Sequence, residues 1–426
     1  MNIIPSSVLR MLEHLRATQK VDTLHEQLAP SSDTAGPKPL RPVRKANQAS
    51  ISGLWQRLKT DAHATDAEQQ VLADPQSIAD AEDYSRNIEN LIGTVKVPVG
   101  VIGPLRINGL NAHGDFFVPL ATTEAALVAS YGRGARLISD AGGASAALVS
   151  DGVLRTPGFA FDNLVDAGLF VDWVARSTDE LKAAAEATTR HGKLISLEPV
   201  VDNDTAFLLC RYTTGDASGQ NMVTIATEAM CRHIEAHTPV KPKHWFIEAN
   251  FSGDKKASYL GLLTGRGRKV SASVLVPDDL IRRQLRTDPE RMLDYARMAN
   301  LGALLSGQFG AQAHYANALA ALYIATGQDA ACVSESAVGF TRMERRGEAL
   351  FISVTLPNIL VGSVGGGTGL PSQNASLRMM GLAGEGKAPA LAEVAAVLCL
   401  CGEISIIGAI AAGHFTSAHQ KLARQR

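Results

Sequence analysis

The chain has 426 residues, 46% hydrophobic and 5% aromatic, with 41 lysines and arginines against 42 aspartates and glutamates. That length accommodates two or three domains with a large core, and a formal net charge of −1 excludes nucleic-acid binding through bulk positive charge. The five cysteines, Cys210, Cys231, Cys332, Cys399 and Cys401, lack zinc-site spacing and are odd in number, so neither a metal site nor a disulfide framework is expected and a reducing cytoplasm is the simplest setting.

In chain order, MNIIPSSVLRMLEHLRATQK carries charges every few residues and so lacks the apolar core of a signal peptide. Val8, Leu12 and Leu15 share one helical face, which predicts a helix over 7–28. A Pro/Ser-rich linker or extended arm follows near 29–46, then helical stretches to about residue 88. From ENLIGTVKVPVGVIGPLRING onward, short β-branched runs between glycines and prolines predict strands and tight turns. Residues 169–190 read as one helix, followed by two strands, HGKLISLEPVVDND and TAFLLCRYTT, joined by a polar turn. An Ala/Gly/Leu-rich pattern predicts a long helix over Leu301–Thr326. AVLCLCGEISIIGAIAAGH is the most apolar stretch, but Glu403 interrupts it, which favours a buried helix over a membrane span.

Several segments combine residues that chemistry could use. No G-x-G-x-x-G opens a βαβ unit and no G-x-x-x-x-G-K-[ST] occurs; GRGRK (Gly265–Lys269) has only a fragment of such a pattern. GDASGQNM (Gly215–Met222) is a glycine-punctuated turn between a strand and a helix, either structural or a backbone cradle for phosphate or ribose. In ATTEAALVAS, Glu124 follows two threonines: a helix N-terminus is the plain reading, a carboxyl raised by apolar company the sharper one. Asp329 in ATGQDAACV falls at the end of an apolar helix, where the dipole disfavours a carboxylate, so a cationic partner is expected. NFSGDKKASY (Asn250–Tyr259) sets Asp254, Lys255 and Lys256 side by side at an expected helix start. VGSVGGGTGLPSQ (Val361–Gln373) carries glycines suited to close backbone approach. His233 and His237 are four apart without the H-E-x-x-H pattern and read as helix surface; His414 and His419 lie in AAGHFTSAH.

In order along the chain, ENLIGTVKVPVGVIGPL, PLATTEAALVASYGRGAR, GDASGQNM, DKKAS with GRGRKV, GQDAA, VGSVGGGTGLPSQ and AAGHFTSAH resemble the 3-hydroxy-3-methylglutaryl-CoA reductases, in their NADPH-using form. The resemblance spans Glu89 to His419. It implies an α/β (α+β) fold: a large substrate-binding and catalytic domain around a long central helix (89–157 and 248–426), an inserted ferredoxin-like NADP(H)-binding domain (158–247), and a helical N-terminal domain (1–88). It implies a homodimer or higher oligomer with active sites at the subunit interface, NADPH as cofactor, a CoA-thioester substrate, and neither nucleic-acid nor membrane partners. The activity implied is four-electron reduction of 3-hydroxy-3-methylglutaryl-CoA to mevalonate and CoA. Alternatives are the same chemistry on another acyl-CoA thioester, or a CoA-thioester-binding paralogue without turnover. The joint presence of Glu124, Lys255, Asp329 and His419 disfavours the last.

By the same resemblance Lys255 corresponds to the catalytic lysine, Glu124 to the acid, Asp329 to the aspartate bridging them, and His419 to the histidine that protonates the departing thiolate. Thr189 and Arg190 correspond to the pair for the cofactor 2′-phosphate, and Asp216 and Asn221 to the nicotinamide end. Asp254, Lys256 and Asn317 match substrate-side positions, while Arg133 and Arg155 match CoA- or substrate-side arginines. Two departures stand out. Glu248 replaces a serine that contacts the substrate carboxylate, and Ala299 stands where a lysine is expected. Arg297, the nearest cation, is then expected either to pair with Glu248 or to take over the lysine's task. A phosphorylatable serine six residues past His419 is replaced by Gln425, so that switch is not expected.

Overall fold

The computed structural model describes residues 36–413, with Leu9, Arg10 and Glu13 before them. The rest of the helix expected over 7–28, and both His414 and His419, lie outside the described residues. The chain forms two compact units, one running to Ala81 and taking in Ile88–Gly93, the other comprising Glu82–Asn87 and everything from Thr94.

In the first unit, residues 37–47 carry no helix or strand, as an extended arm should. Val43 exchanges hydrogen bonds with Asn90, its N–H donating to Oδ1 (2.8 Å) and its carbonyl accepting from the Asn90 N–H (2.9 Å). Helix α1 (Gln48–Asp61) starts in a reciprocal capping box between Asn47 and Ser50. It buries Trp55, whose Nε1–H donates to the Ile92 carbonyl at 2.7 Å. Helices α2 (Asp66–Leu72) and α3 (Pro75–Ala79), capped by Thr65 and Asp74, continue the helical run predicted to residue 88.

The second unit is built on a continuous sheet ordered β7 (His244–Phe246), β4 (Gly158–Ala160), β6 (Thr205–Thr213), β3 (Ala144–Arg155), β8 (Gly267–Pro277), β11 (Ala349–Ile359), β10 (Gly339–Arg346) and β9 (Gly310–Ala311), with the pair β1 (Val99–Gly109) and β2 (His113–Ala121) joined through β3, and β5 (Lys193–Asp202) through β6. Strands β1 (Val99–Gly109) and β2 (His113–Ala121) form an antiparallel pair, followed by α4 (Leu127–Asp140) and β3 (Ala144–Arg155). β3 is the hinge of the architecture: its first half pairs with β8 (Gly267–Pro277), its last three residues with β6 (Thr205–Thr213). Between them lies a β-α-β-β-α-β unit: β4 (Gly158–Ala160), α5 (Leu164–Arg176), α6 (Thr178–Glu186), β5 (Lys193–Asp202), β6, α7 (Gln220–His237) and β7 (His244–Phe246). Its strand order β7-β4-β6-β5 is that of a ferredoxin-like unit. The helix expected over 169–190 is two helices, because Ser177 leaves helical geometry (φ −103°, ψ 15°), ending α5 and opening α6.

After α8 (Tyr259–Thr264) and β8 come α9 (Pro289–Ser306), β9 (Gly310–Ala311) and α10 (Tyr315–Thr326). The single helix expected over Leu301–Thr326 is broken: Gly307 adopts φ +72°, caps α9, and lets the chain insert β9 before α10 starts. Helix α11 (Val333–Ser336), β10 (Gly339–Arg346), β11 (Ala349–Ile359) and α12 (Pro371–Met379) lead to α13 (Ala388–Ala411).

Helix α13 is the core. Its 24 residues pack against α4, α10, β3, β8 and β11, and nearly all are buried. Although long and apolar enough to cross a membrane, it is 89% buried within the protein over its most apolar window. Its two glutamates explain themselves through the backbone. Glu393 accepts from the N–H groups of Asn111, Ala112 and Leu148, and Glu403 from those of Ala313 and His314 and from Thr341 Oγ1. Each thus satisfies loop donors that burial would otherwise leave unpaired. Helix α4 crosses α13 closely: a Cβ on Gly134 would sit 2.0 Å from the Cys401 carbonyl oxygen. All five cysteines are buried free thiols.

Candidate active site

The Asp-Lys-Lys segment lies in a turn before α8, not in the helix itself; Ser258 caps the helix by accepting from the Gly261 N–H (3.0 Å). The turn has unusual backbone. Asn250, Gly253 and Lys255 all take positive φ, Lys255 at +56°, a conformation that costs a non-glycine residue about 1–2 kcal/mol. What holds it is Glu335, whose Oε1 accepts from the Lys255 N–H at 3.0 Å. The lysine side chain then extends to Asp329, with Nζ to Oδ2 at 2.9 Å.

Asp329 is not at the end of α10, as the sequence suggested. Gly327 ends that helix, and Asp329 caps the following turn by accepting from the Ala331 N–H (3.0 Å), a favourable place for a carboxylate. It has the cationic partner expected of it. The hydrogen bond to Asp329 holds the Lys255 ammonium above the ordinary lysine range. Burial acts to raise Asp329, but the bonds from Lys255 and Ala331 outweigh it and keep the carboxyl below its ordinary range. Cys332 lies beside the pair, and burial pushes its thiol well up, so it offers no thiolate.

Behind Lys255 is a buried ionic network that the sequence reading missed. Arg266, 1% exposed, donates from Nη1 to both Glu335 oxygens (2.8 and 2.7 Å) and from Nη2 to Gln220 Oε1 (2.7 Å), with Asp254 Oδ1 at 3.1 Å. Burial raises the Glu335 carboxyl against the opposing pull of Arg266. Gln220 Nε2 reaches Cys332 Sγ at 3.7 Å. Arg155, also buried, donates from Nη1 to Glu248 Oε2 (3.0 Å) and Asp254 Oδ2 (3.3 Å). Arg297 does not meet Glu248 in the chain. It is exposed and pairs with Asp294 at 2.9 Å, because α9 directs it outward, while Glu248 is taken by Arg155. Lys256 is exposed, with Nζ donating to the Asp254 carbonyl (3.0 Å).

Glu124 stands elsewhere. It precedes α4 in an exposed turn, its N–H donating to Thr122 Oγ1 (3.0 Å), and its Oε1 accepts from Asn317 Nδ2 at 3.4 Å. The apolar company expected of it is present on one side only: Glu124 is exposed, while Val97, Leu127, Ala321 and Ile324 line the hollow beside it. Glu124 and Asn317 share a hollow of about 270 Å³ with Thr122, Thr123 and Ala320. Asn317 is near the start of α10 and Asp329 lies past its end, so the two pairs sit at opposite ends of a helix about 18 Å long.

The glycine-rich turn GDASGQNM is firmly tied. Asp216 accepts at its carbonyl from Ser363 N–H (2.9 Å) and at its carboxylate from Gly386 N–H (2.7 Å) and Ala388 N–H (3.1 Å), capping the entry to α13. Arg268, 2% exposed, donates to the carbonyls of Gly215 and Val361. Of the glycines in VGSVGGGTGLPSQ, Gly362 serves this contact, since a Cβ on it would meet Ser218 N at 2.7 Å, whereas Gly367 packs against Gly327. Helix α7 then starts at Gly219 with no side-chain cap, leaving its first N–H groups open. Thr189 Oγ1 donates to Met222 Sδ (3.0 Å) and accepts from Gly192 N–H (3.0 Å), so Thr189 and the exposed Arg190 stand beside the exposed Asn221. Arg133 is held by Ser405 (Nη2 to Oγ, 2.8 Å) and lines a separate hollow of about 560 Å³ with Arg136, Arg283 and Arg286.

The fold is shared with solved reductases. The structure is similar to that of the class II 3-hydroxy-3-methylglutaryl-CoA reductase from Streptococcus pneumoniae bound to NADPH in open conformations, with TM-score 0.63 and 19% identity over 83% of this chain and 96% of that one. In sequence, the chain is 44% identical to the 3-hydroxy-3-methylglutaryl-coenzyme A reductase of Aeropyrum pernix, over 80% of this chain and 83% of the relative. It is 41% identical to that of Methanocaldococcus jannaschii, over 82% and 87%. The model of the hydroxymethylglutaryl-coenzyme A reductase family matches residues 54–424, and the chain belongs to that family.

Proposed function

We propose that the chain reduces 3-hydroxy-3-methylglutaryl-CoA to mevalonate and CoA, with Lys255 as the cation at the reacting carbonyl. The Lys255–Asp329 pair carries this reading: an ammonium held charged by its neighbour, on a strained turn fixed from behind by Glu335. When bound, NADPH supplies the hydrides, two for each thioester taken to an alcohol. At each hydride addition negative charge grows on the carbonyl oxygen, and a fixed donor there is worth about 3–4 kcal/mol. Glu124 gives a proton to that oxygen and takes it back as the hemithioacetal collapses. The leaving thiolate, from a thiol of pKa about 8.5, is protonated by His419.

Residues 158–247 form the cofactor domain in this reading. Arg190 and Thr189, beside the uncapped start of α7, suit a dinucleotide bearing a 2′-phosphate. Asp216 acts by fixing the turn, since its carboxylate is already spent on α13. The hollow lined by Arg133, Arg136, Arg283 and Arg286 suits the phosphates of CoA. Arg155, Asp254 and Lys256 face the acyl group.

One carbonyl carbon cannot sit against both Glu124 and Lys255 if they stay at opposite ends of α10. The site is therefore shared: the Glu124–Asn317 half of one copy meets the Lys255–Asp329 half of another. Helix α9 supplies a surface for such pairing, with Met298, Leu301, Leu304 and Leu305 each more than half exposed. The assay is NADPH oxidation by the purified chain with 3-hydroxy-3-methylglutaryl-CoA. Wild-type protein turns over and Lys255→Ala is at least a hundredfold slower; an active Lys255→Ala shows that the lysine is misassigned.

A further inference from the structure

The charges behind Lys255 do not balance. Arg155 and Arg266 contribute two positive charges, and Glu248, Asp254 and Glu335 three negative ones, all within one chain of ion pairs. Arg155, the last residue of β3, reaches the turn that carries the reactive lysine, its Nη1 contacting Asp254, the residue just before Lys255. It is the cation placed to meet the far end of an acyl group whose carbonyl lies at Lys255. Yet its side chain is only 8% exposed, its Nη1 is taken by two carboxylates, and its Nη2 approaches Gln220 Oε1 at 3.5 Å.

Glu248 is the element that closes it. Oε2 accepts from Arg155 Nη1 and from Ser252 Oγ (2.9 Å), while Oε1 is buried and has no hydrogen-bond partner. An orphaned carboxylate oxygen calls for a donor and repels a second carboxylate. An acid-ended acyl chain therefore has to displace Glu248 from Arg155 and set its carboxylate against the free Glu248 oxygen, a repulsion that Lys256, with Nζ donating to the Asp254 carbonyl, offsets only in part. An acyl chain ending in an uncharged group, or one that donates a hydrogen bond, meets neither obstacle.

We infer that Glu248 is a specificity-determining residue of this chain: by holding Arg155 and presenting a free acceptor oxygen, it weakens the preference for a terminal carboxylate and admits acyl-CoA thioesters with an uncharged end beside 3-hydroxy-3-methylglutaryl-CoA. This rests on the reductase reading above, and it concerns the acyl group alone. A carboxylate-ended substrate is accepted only by displacing Glu248 from Arg155, so its kcat/KM is set by that competition. Asp254 remains paired with Arg155 when Glu248 is replaced, which leaves the buried guanidinium with an anion.

The test uses the full chain, NADPH, and two thioesters: 3-hydroxy-3-methylglutaryl-CoA and 3-hydroxy-3-methylbutyryl-CoA, which lacks the terminal carboxylate. The readout is the ratio of kcat/KM for the acid-ended over the uncharged thioester, in wild type, Glu248→Gln and Glu248→Ser. The near-isosteric glutamine guards against a folding defect in the serine variant. Both variants are expected to raise the ratio at least tenfold. A ratio unchanged within threefold, or lowered, overturns the inference while the reductase reading stands. If wild-type protein oxidises NADPH with neither thioester, the reductase reading fails and the inference goes with it.

Discussion

Replacing Glu335 gives the sharpest test of how the site is held. The carboxylate is 1% exposed, receives two hydrogen bonds from Arg266, and accepts the N–H of a lysine in left-handed backbone. Glu335→Ala removes one partner of a buried pair and leaves the Arg266 guanidinium short of counter-charge, a loss of about 3–5 kcal/mol. The orphaned Lys255 N–H is part of that cost. Urea titration followed by circular dichroism measures it against wild type. A double variant, Arg266→Met with Glu335→Leu, is expected to recover most of the stability, since an apolar pair of similar volume removes both buried charges. It should nevertheless stay slow in reduction, because nothing then holds the Lys255 turn. Glu335→Ala within about 0.5 kcal/mol of wild type, the range of ordinary surface changes, would falsify the assignment of this network. A double variant with full activity would show that the network supports the fold but not the lysine.

The site also fixes how the protein responds to pH and to subunit mixing. Lys255 is held above its ordinary value, so its contribution to stability is complete below the ordinary lysine pKa of about 10.4 and is lost as pH rises through the higher folded value. The lowered Asp329 contributes above the ordinary aspartate pKa of about 3.9, and its share is lost as pH falls through the still lower folded value. Asp329→Asn should therefore move the alkaline limb of kcat/KM to lower pH, and a limb that does not move separates Asp329 from Lys255. Mixing Glu124→Gln and Lys255→Ala subunits under exchange should restore about a quarter of wild-type activity, because half the dimers are mixed and each holds one intact site. No recovery on mixing means that the site is completed within one chain.

Much of this fold was legible because local signals agreed with each other. The strands β5 and β6 with their polar turn, the glycine turn leading into α7, and a buried helix around Glu403 all follow from periodicity and turn residues. Two breaks were not legible. Ser177 and Gly307 interrupt apolar patterns that continue on either side, so periodicity alone runs through them. At the site, the motifs drew attention to Lys255 and Asp329, and the search for a partner to Asp329 was sound even though its premise about the helix end was not. Gln220 and Arg266 fall inside GDASGQNM and GRGRK, yet neither motif pointed to those side chains, and Glu335 lay in no motif. They are 46 and 69 residues apart; the pairing of β3 with β6 and β8 brings the first two together, and α11 brings Glu335 to them. Glu248 and Arg155 were each singled out in the sequence, but not as partners: they are 93 residues apart, and Arg297 was the cation expected beside Glu248.

In the proposed reaction one Lys255 site carries out both reductions of the thioester. Stoichiometry checks this: NADPH consumed is measured against CoA thiol released from 3-hydroxy-3-methylglutaryl-CoA at completion. Two NADPH per thiol are expected, with mevalonate as the product. One NADPH per thiol with accumulation of the aldehyde, or thiol release without NADPH consumption, would contradict it.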